Sequence, residues 1–302
     1  MNSVALQESA LRLQEKLAAG EPLRTLVLLY DTEEDRNCDF SFLGSVDVQF
    51  LDEQASLEDV ERLLANKGYD YVLNFTSIEE MSVVSLGAAS AGGGPFHSKR
   101  SIREAGVPVP RIYRERDEDI VFPVIVKPND TSGSIGVRKV FAREHVPWKD
   151  DVIVEDYIDG REFTVLVIEG KPGHKPDAFA IELVFVRPGE ILDYDRKWLT
   201  FRDDCRWQFL DAEPLLHQQL IELAAPIFER HEFTHYCRFD VRMRATTREL
   251  YLLDINPFCG AFYPRHDFHS ADLLIDRFIG HERFVRHLMA CDCRRVLLRA
   301  GG

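Results

Sequence analysis

Two apolar runs, Cys237-Arg-Phe-Asp-Val-Arg-Met243 and Leu250-Tyr-Leu-Leu-Asp-Ile-Asn-Pro257, are joined by a polar turn around Thr246, Thr247 and Arg248. Apolar alternation on both sides of a short polar connection predicts a β-hairpin. Side chains alternate across a strand, so Arg238 shares a face with Asp240, and Asp254 shares one with Asn256. The hairpin thus brings two carboxylates, an amide oxygen and a guanidinium together across two adjacent strands. Oxygen-only ligands suit a hard cation such as Mg²⁺, which completes its shell with water and substrate phosphates. An arginine beside such an ion suits a developing phosphate charge. The competing reading is a hairpin with an ordinary surface salt-bridge set.

A second segment, Phe122-Pro-Val-Ile-Val-Lys-Pro-Asn-Asp-Thr-Ser-Gly-Ser-Ile-Gly136, reads as a short buried strand ending at Lys127. Pro128 stops the ladder, and a loop of small hydroxyl and glycine residues follows. Backbone N–H groups in such a loop can cradle phosphate oxygens, with Gly133 and Gly136 permitting close approach. Neither G-x-x-x-x-G-K-[ST] nor G-x-G-x-x-G occurs, and a plain surface hairpin loop favours the same residues. In Val152 to Ile168, two apolar segments flank the acidic turn Asp159-Gly160-Arg161. Glu155 and Glu162 stand where carboxylates can accept hydrogen bonds from an adenine amino group and ribose hydroxyls, although exposed turn glutamates are common.

A chain of 302 residues, 45% of them hydrophobic, can bury more than one core, so two or three lobes are expected. The excess of 51 acidic over 37 basic residues, a net charge of −14, argues against nucleic acid or an anionic membrane as a general partner. Met1 to Gly20 reads as an amphipathic helix and not a signal peptide, and no run reaches transmembrane length. The six cysteines lack zinc spacing; Cys291 and Cys293 are expected to be reduced surface thiols, in keeping with a cytoplasmic protein. Strands at Thr25–Tyr30, Val46–Leu51 and Tyr69–Phe75, a helix capped by Ser56 with Asp59, and a helix through Met81 to Ala91 form a small α/β lobe. Gly92-Gly-Gly-Pro95 marks a linker. The expected division is therefore 1–95, 96–159 and 160–302, the last holding Phe179–Val186, a helix near Pro214–Arg230, the metal hairpin and a terminal helix after Ser270.

From about Lys99 to Gly260 the motifs, in order and spacing, resemble the ATP-grasp superfamily, and within it the D-alanine–D-alanine ligases. The resemblance implies an α/β (α+β) ATP-grasp fold of three lobes, with a shortened Rossmann-like first lobe and ATP between the central and C-terminal lobes. It implies that Lys99, Lys127 and Lys197 hold ATP phosphates, that Thr131 to Gly136, including Ser132, Gly133 and Ser134, is the small closing loop, and that Glu155, Tyr157 and Ile158 read adenine. Glu162 then binds ribose, Asp240, Asp254 and Asn256 hold one or two Mg²⁺ ions, and Arg238 with the Gly260 N–H stabilises an oxyanion. Lys197 and Ser134 join these as catalytic residues. The implied activity is an ATP-dependent, ADP-forming ligase that activates a small-molecule carboxylate as an acyl phosphate and joins it to an amine; a homodimer is one expected assembly.

The largest departures fall on the substrate side. Asp254 replaces the usual glutamate, Ser132-Gly133-Ser134 reorders the loop, and Cys259 precedes Gly260 in place of proline. The segments that hold the first amino acid's ammonium are missing from the first lobe. Trp198, Tyr263, Arg265, His266 and His269 remain as candidates for substrate recognition, with Arg265 equally readable as a surface arginine and His266 and His269 as polar neighbours of the helix near Ser270. A cyclising ligase acting on one substrate and a non-catalytic ATP-binding module are the alternative readings.

Overall fold

The computed structural model describes residues 3–31, 36–52, 54–75, 85–86, 106–129, 133–171, 173–257 and 259–300. Among these residues the chain forms three sheets. Helix α1 (Ser3–Ala19) leads into a four-stranded sheet built from β1 (Arg24–Tyr30), β2 (Ser45–Leu51), β3 (Tyr71–Asn74) and β4 (Ser85–Leu86), in the order β2-β1-β3-β4. All its pairings are parallel, which is why β1 reads as a nearly continuous apolar run. Helix α2 (Leu57–Lys67) starts as expected: Ser56 caps it, and the Ser56 N–H donates to Asp59 Oδ2 at 2.9 Å in a capping box. One expectation is corrected. Ser85 and Leu86 lie in a strand paired with Val72 and Leu73, not in a helix. The remainder of Met81–Ala91 lies outside the described residues.

The second sheet joins β5 (Ile112–Tyr113), β6 (Val124–Pro128), β7 (Arg138–Val140) and β8 (Val152–Asp156) in the antiparallel order β5-β8-β6-β7. Its apolar face, including Val124, Val126 and Val154, forms one small core. The third sheet holds β9 (Gly160–Ile168), β10 (Asp177–Phe185), β11 (Cys205–Phe209), β12 (Tyr236–Arg244) and β13 (Leu250–Pro257), in the antiparallel order β11-β10-β9-β12-β13. Two short helices, α3 (Tyr194–Trp198) and α4 (Phe201–Asp204), precede β11. Helix α5 (Pro214–Arg230) starts on a proline and buries Leu216, Leu220, Ala224 and Ile227 at helical spacing. These pack on one face of the third sheet, against Phe163, Val165, Phe239 and Val241.

The C-terminal region contains two helices, α6 (Ser270–Phe278) and α7 (His281–Ala300), where one was expected. Gly280, at φ +85°, breaks the run between them. Helix α7 packs against α1 and closes a core in which Leu29 and Tyr71 of the first sheet meet Leu166 and Tyr236 of the third. A buried polar cluster clasps the same junction. Tyr71 Oη donates to Asp292 Oδ2 at 2.5 Å, while His235 Nε2 and Arg295 Nη2 lie 2.6 and 2.7 Å from Asp292 Oδ1. Burial opposes the Asp292 charge, but His235 and Arg295 more than offset it and hold its carboxyl below the usual range. Cys291 and Cys293 are buried in this packing, which corrects the expectation of surface thiols. None of the six cysteines forms a disulfide among the described residues.

Candidate active site

The antiparallel register of β12 and β13 sets Arg238 directly opposite Asn256 and Asp240 directly opposite Asp254, with a bulge just after Asp240. The four polar side chains therefore share one sheet face. Asp240 also lies opposite Thr164 of β9. Its carboxylate accepts from Arg238 Nε at 3.0 Å and Nη2 at 3.2 Å, from Asn256 Nδ2 at 3.0 Å and from Thr164 Oγ1 at 3.3 Å. Burial opposes the Arg238 charge, and the paired Asp240 more than offsets it, pushing the guanidinium pKa up. Asp254 is exposed, and its Oδ1 accepts the Ile255 N–H at 3.1 Å. Among the described residues no group of three or more His, Cys, Asp and Glu is placed to hold a metal. The hairpin offers two carboxylates and one amide instead.

The second sheet supplies the other wall. Lys127 and Glu155 share a face of β6 and β8, and Lys127 Nζ lies 3.2 Å from Glu155 Oε1, whose residue is only 3% exposed. After β8 the chain crosses through Tyr157, Ile158 and Asp159 into β9, so the two apolar segments around Asp159 belong to different sheets. Gly160 is required there: at φ +146°, a Cβ would lie 2.0 Å from the Met243 carbonyl oxygen. Where β6 turns into β7, Gly133 and Ser134 adopt left-handed φ angles, and the Gly133 carbonyl accepts Trp198 Nε1–H at 2.9 Å. Lys99, Thr131 and Ser132 lie outside the described residues.

Arg242 is a site residue that the sequence reading missed. It is 3% exposed and lies opposite Glu162 in register. Its Nε donates to Glu162 Oε2 at 2.9 Å, its Nη1 to the Ile158 carbonyl at 3.0 Å, and its Nη2 to the Glu190 carbonyl at 2.5 Å. Its guanidinium carbon also sits 5.2 Å from the Tyr157 ring centroid. Burial pushes the Glu162 carboxyl up, with the Arg242 charge opposing. The signal was available: Arg242 falls two residues beyond Asp240, on the same strand face. Beside this crossing lies a cavity of about 910 Å³ whose lining includes Tyr157, Asp159, Lys139 and Gly189. Lys127, Arg238 and Asp240 are not among its lining residues, so it adjoins the polar site without containing it.

At the far end, Lys197 Nζ lies 5.0 Å from the centroid of the Trp198 ring system. Trp198 in turn stands 5.7 Å from the His269 ring, and His269 stands 4.6 Å from Tyr263. Tyr263 is packed on Gly260, where a Cβ would meet its Oη at 2.8 Å. Arg265 and His266 are not gathered into this group. Both are exposed in a short 3-10 turn; Arg265 reaches Asp276 at 3.1 Å, and the His266 carbonyl accepts from Arg202 at 2.7 Å.

Two antiparallel sheets joined by a short crossing segment, with a lysine–glutamate wall on one sheet and a carboxylate hairpin on the other, define an ATP-grasp fold. The crystal structure of D-alanine–D-alanine ligase from Bacillus anthracis complexed with ATP aligns over 92% of this chain and 99% of that one, with a TM-score of 0.58 and 15% identity. Residues 100–263 match the family described as D-ala D-ala ligase C-terminus, and the chain belongs to that family. Among curated relatives, the D-alanine–D-alanine ligase of Xylella fastidiosa is 24% identical over 64% of this chain and 62% of its own length. That of Pseudomonas entomophila is 30% identical over 55% and 54%, respectively. The chain thus spans between about half and two thirds of the length of these relatives.

Proposed function

We propose that the chain is an ATP-dependent, ADP-forming ligase that phosphorylates a small-molecule carboxylate and joins it to an amine. The observation that carries this reading is the single face on which Arg238, Asp240, Asp254 and Asn256 converge, at the position where the family resemblance sets its phosphoryl-transfer groups. In this reading the lobes divide at 1–95, 96–159 and 160–302. The crossing from β8 to β9 is where the family resemblance sets the nucleotide base. Glu155, Tyr157 and Ile158 read that base, Glu162 reaches the ribose by yielding part of its pairing with Arg242, and Lys99, Lys127 and Lys197 neutralise phosphates.

The donor set fits a hard cation, because Asp240 and Asp254 are opposed in register and Asn256 adds an amide oxygen on the same face. One or two Mg²⁺ ions held there would neutralise charge on the β- and γ-phosphates. The chain's own residues account for the other roles. Arg238, fixed by its two hydrogen bonds to Asp240, offers its remaining donors to the transferring phosphoryl group and then to the oxyanion, with the Gly260 N–H beside it. Ser132, Gly133 and Ser134 cover the acyl phosphate and exclude water, with Trp198 tying the loop down through Gly133. Trp198 and Tyr263 line the substrate end, with Arg265 and His266 at its outer rim. A cytoplasmic location and a homodimer complete the reading; the homodimer is checked by the mass in solution.

The test is ADP and phosphate release with Mg²⁺ and ATP across paired amino acids and small carboxylates, with mass spectrometry of the products. A product of the summed mass less water supports the ligase. Nucleotide binding without substrate-dependent release across the panel contradicts it.

A further inference from the structure

We infer that His269 is the general base that removes the proton from the attacking amine, an assignment that rests on the ligase reading above. His269 sits between two aromatic side chains, each of which touches a glycine of the proposed site. Trp198 holds Gly133 of the covering loop, and Tyr263 packs on Gly260, whose N–H the ligase reading assigns to the oxyanion. Ring separations of 5.7 and 4.6 Å fix the imidazole between them. His269 occupies the N-cap position of α6, yet its side chain makes no capping bond. Among the described residues its ring nitrogens form no hydrogen bond, and neither is sealed as a buried unsatisfied atom. An imidazole whose ring nitrogens are uncommitted and still reach solvent is suited to proton transfer.

The surroundings keep it in the accepting form. Burial pushes the His269 pKa down, and the charges of Lys197 and Arg238 act in the same direction, while Asp272 and Asp267 oppose. The positive end of α6 further disfavours the imidazolium. A neutral ring at neutral pH can therefore take a proton.

The step balances as follows. The amine enters as its free base after one proton has gone to solvent. Its lone pair forms the C–N bond to the acyl-phosphate carbon, and the carbonyl pair moves onto oxygen beside Arg238 and the Gly260 N–H. His269 takes the proton from the now cationic nitrogen. The oxygen pair then re-forms the carbonyl, the C–O bond to phosphate breaks, and phosphate leaves with that pair. His269 returns its proton to solvent.

The experiment compares wild type with His269→Gln, using Mg²⁺, ATP and D-alanine or each standard L-amino acid as the carboxylate. The nucleophile is either the same amino acid or hydroxylamine, which traps the acyl phosphate as a hydroxamate and attacks without a strong base. The proposal predicts that hydroxamate formation stays within about twofold, while amide formation falls by about 10²- to 10³-fold. It also predicts that the acid-side limb of the amide pH–rate profile keeps the amine's ionisation and loses the imidazole's in the variant. Equal losses in both arms, or an unchanged pH profile for the amide, would assign His269 to packing alone and overturn the proposal. No hydroxamate from wild type with any carboxylate would overturn the ligase reading itself, and the general base with it.

Discussion

The two faces of the five-stranded sheet are built by the same strands and behave as different materials. On one face Phe163, Val165, Phe239, Val241 and Leu252 are fully buried or nearly so under α5. On the other, within the same stretches of β9 and β12, Thr164, Asp240 and Arg238 form one hydrogen-bonded group and Glu162 with Arg242 another beside it. The period-two alternation of a strand separates the two jobs at single-residue resolution. Burial of the first face stabilises the sheet, and this lets the second hold charged groups close together. Charges held in place before substrate arrives need little reorganisation during reaction.

Substitutions on each face should therefore fail in different ways. The largest effect is expected at Phe239. Phe239→Ala removes a fully buried ring and should destabilise the fold by about 3–5 kcal/mol in chemical denaturation, while each folded molecule keeps its turnover. Next, on the opposite face, Asp240→Asn should lower turnover by about 10³-fold and leave the circular-dichroism spectrum intact. If that variant retained activity, the separation of the two faces would fail.

A cluster away from both faces gives a third test. Burial works against the Asp292 charge, but His235, Arg295 and Tyr71 hold its carboxyl below the usual carboxylate range. A lowered folded-state pKa adds stability above the unfolded value, and this is lost as pH falls through the folded value. Asp292→Asn should therefore cost about 3 kcal/mol near neutral pH and flatten the acid limb of urea midpoint against pH. The smallest effect is expected at Arg265, whose side chain is 81% exposed. Arg265→Ala should change stability by about 0.5 kcal/mol or less, with turnover unchanged. A rise in KM for the carboxylate or amine would instead place Arg265 against substrate.

What could be read from the sequence follows the range of the interactions. The β12–β13 hairpin was legible because its alternation and turn are local, as was the Ser56–Asp59 box, whose partners are three residues apart. The pairing of Arg242 with Glu162 spans 80 residues, so strand alternation sets Arg242 on the face of Asp240 without naming its partner. The Tyr71–Asp292 contact spans 221 residues, so the burial of Cys291 and Cys293 in α7 was hidden for the same reason. The strand at Ser85 and Leu86 was misread because a short apolar run has no period that separates strand from helix. At the site, residues that share a strand with their partners were found together. Arg265 and His266 were proposed by position in the motif alone, and the structure leaves them at the surface.

The central claim is that the polar face drives phosphoryl transfer to a carboxylate, and isotope transfer tests it most directly. A carboxylate substrate enriched in oxygen-18 would be turned over with Mg²⁺ and ATP, and the released phosphate analysed by mass spectrometry. Passage through an acyl phosphate predicts that one labelled oxygen moves from the carboxylate to each phosphate. Phosphate carrying no label, with all the oxygen-18 retained in product and unreacted acid, would contradict the account.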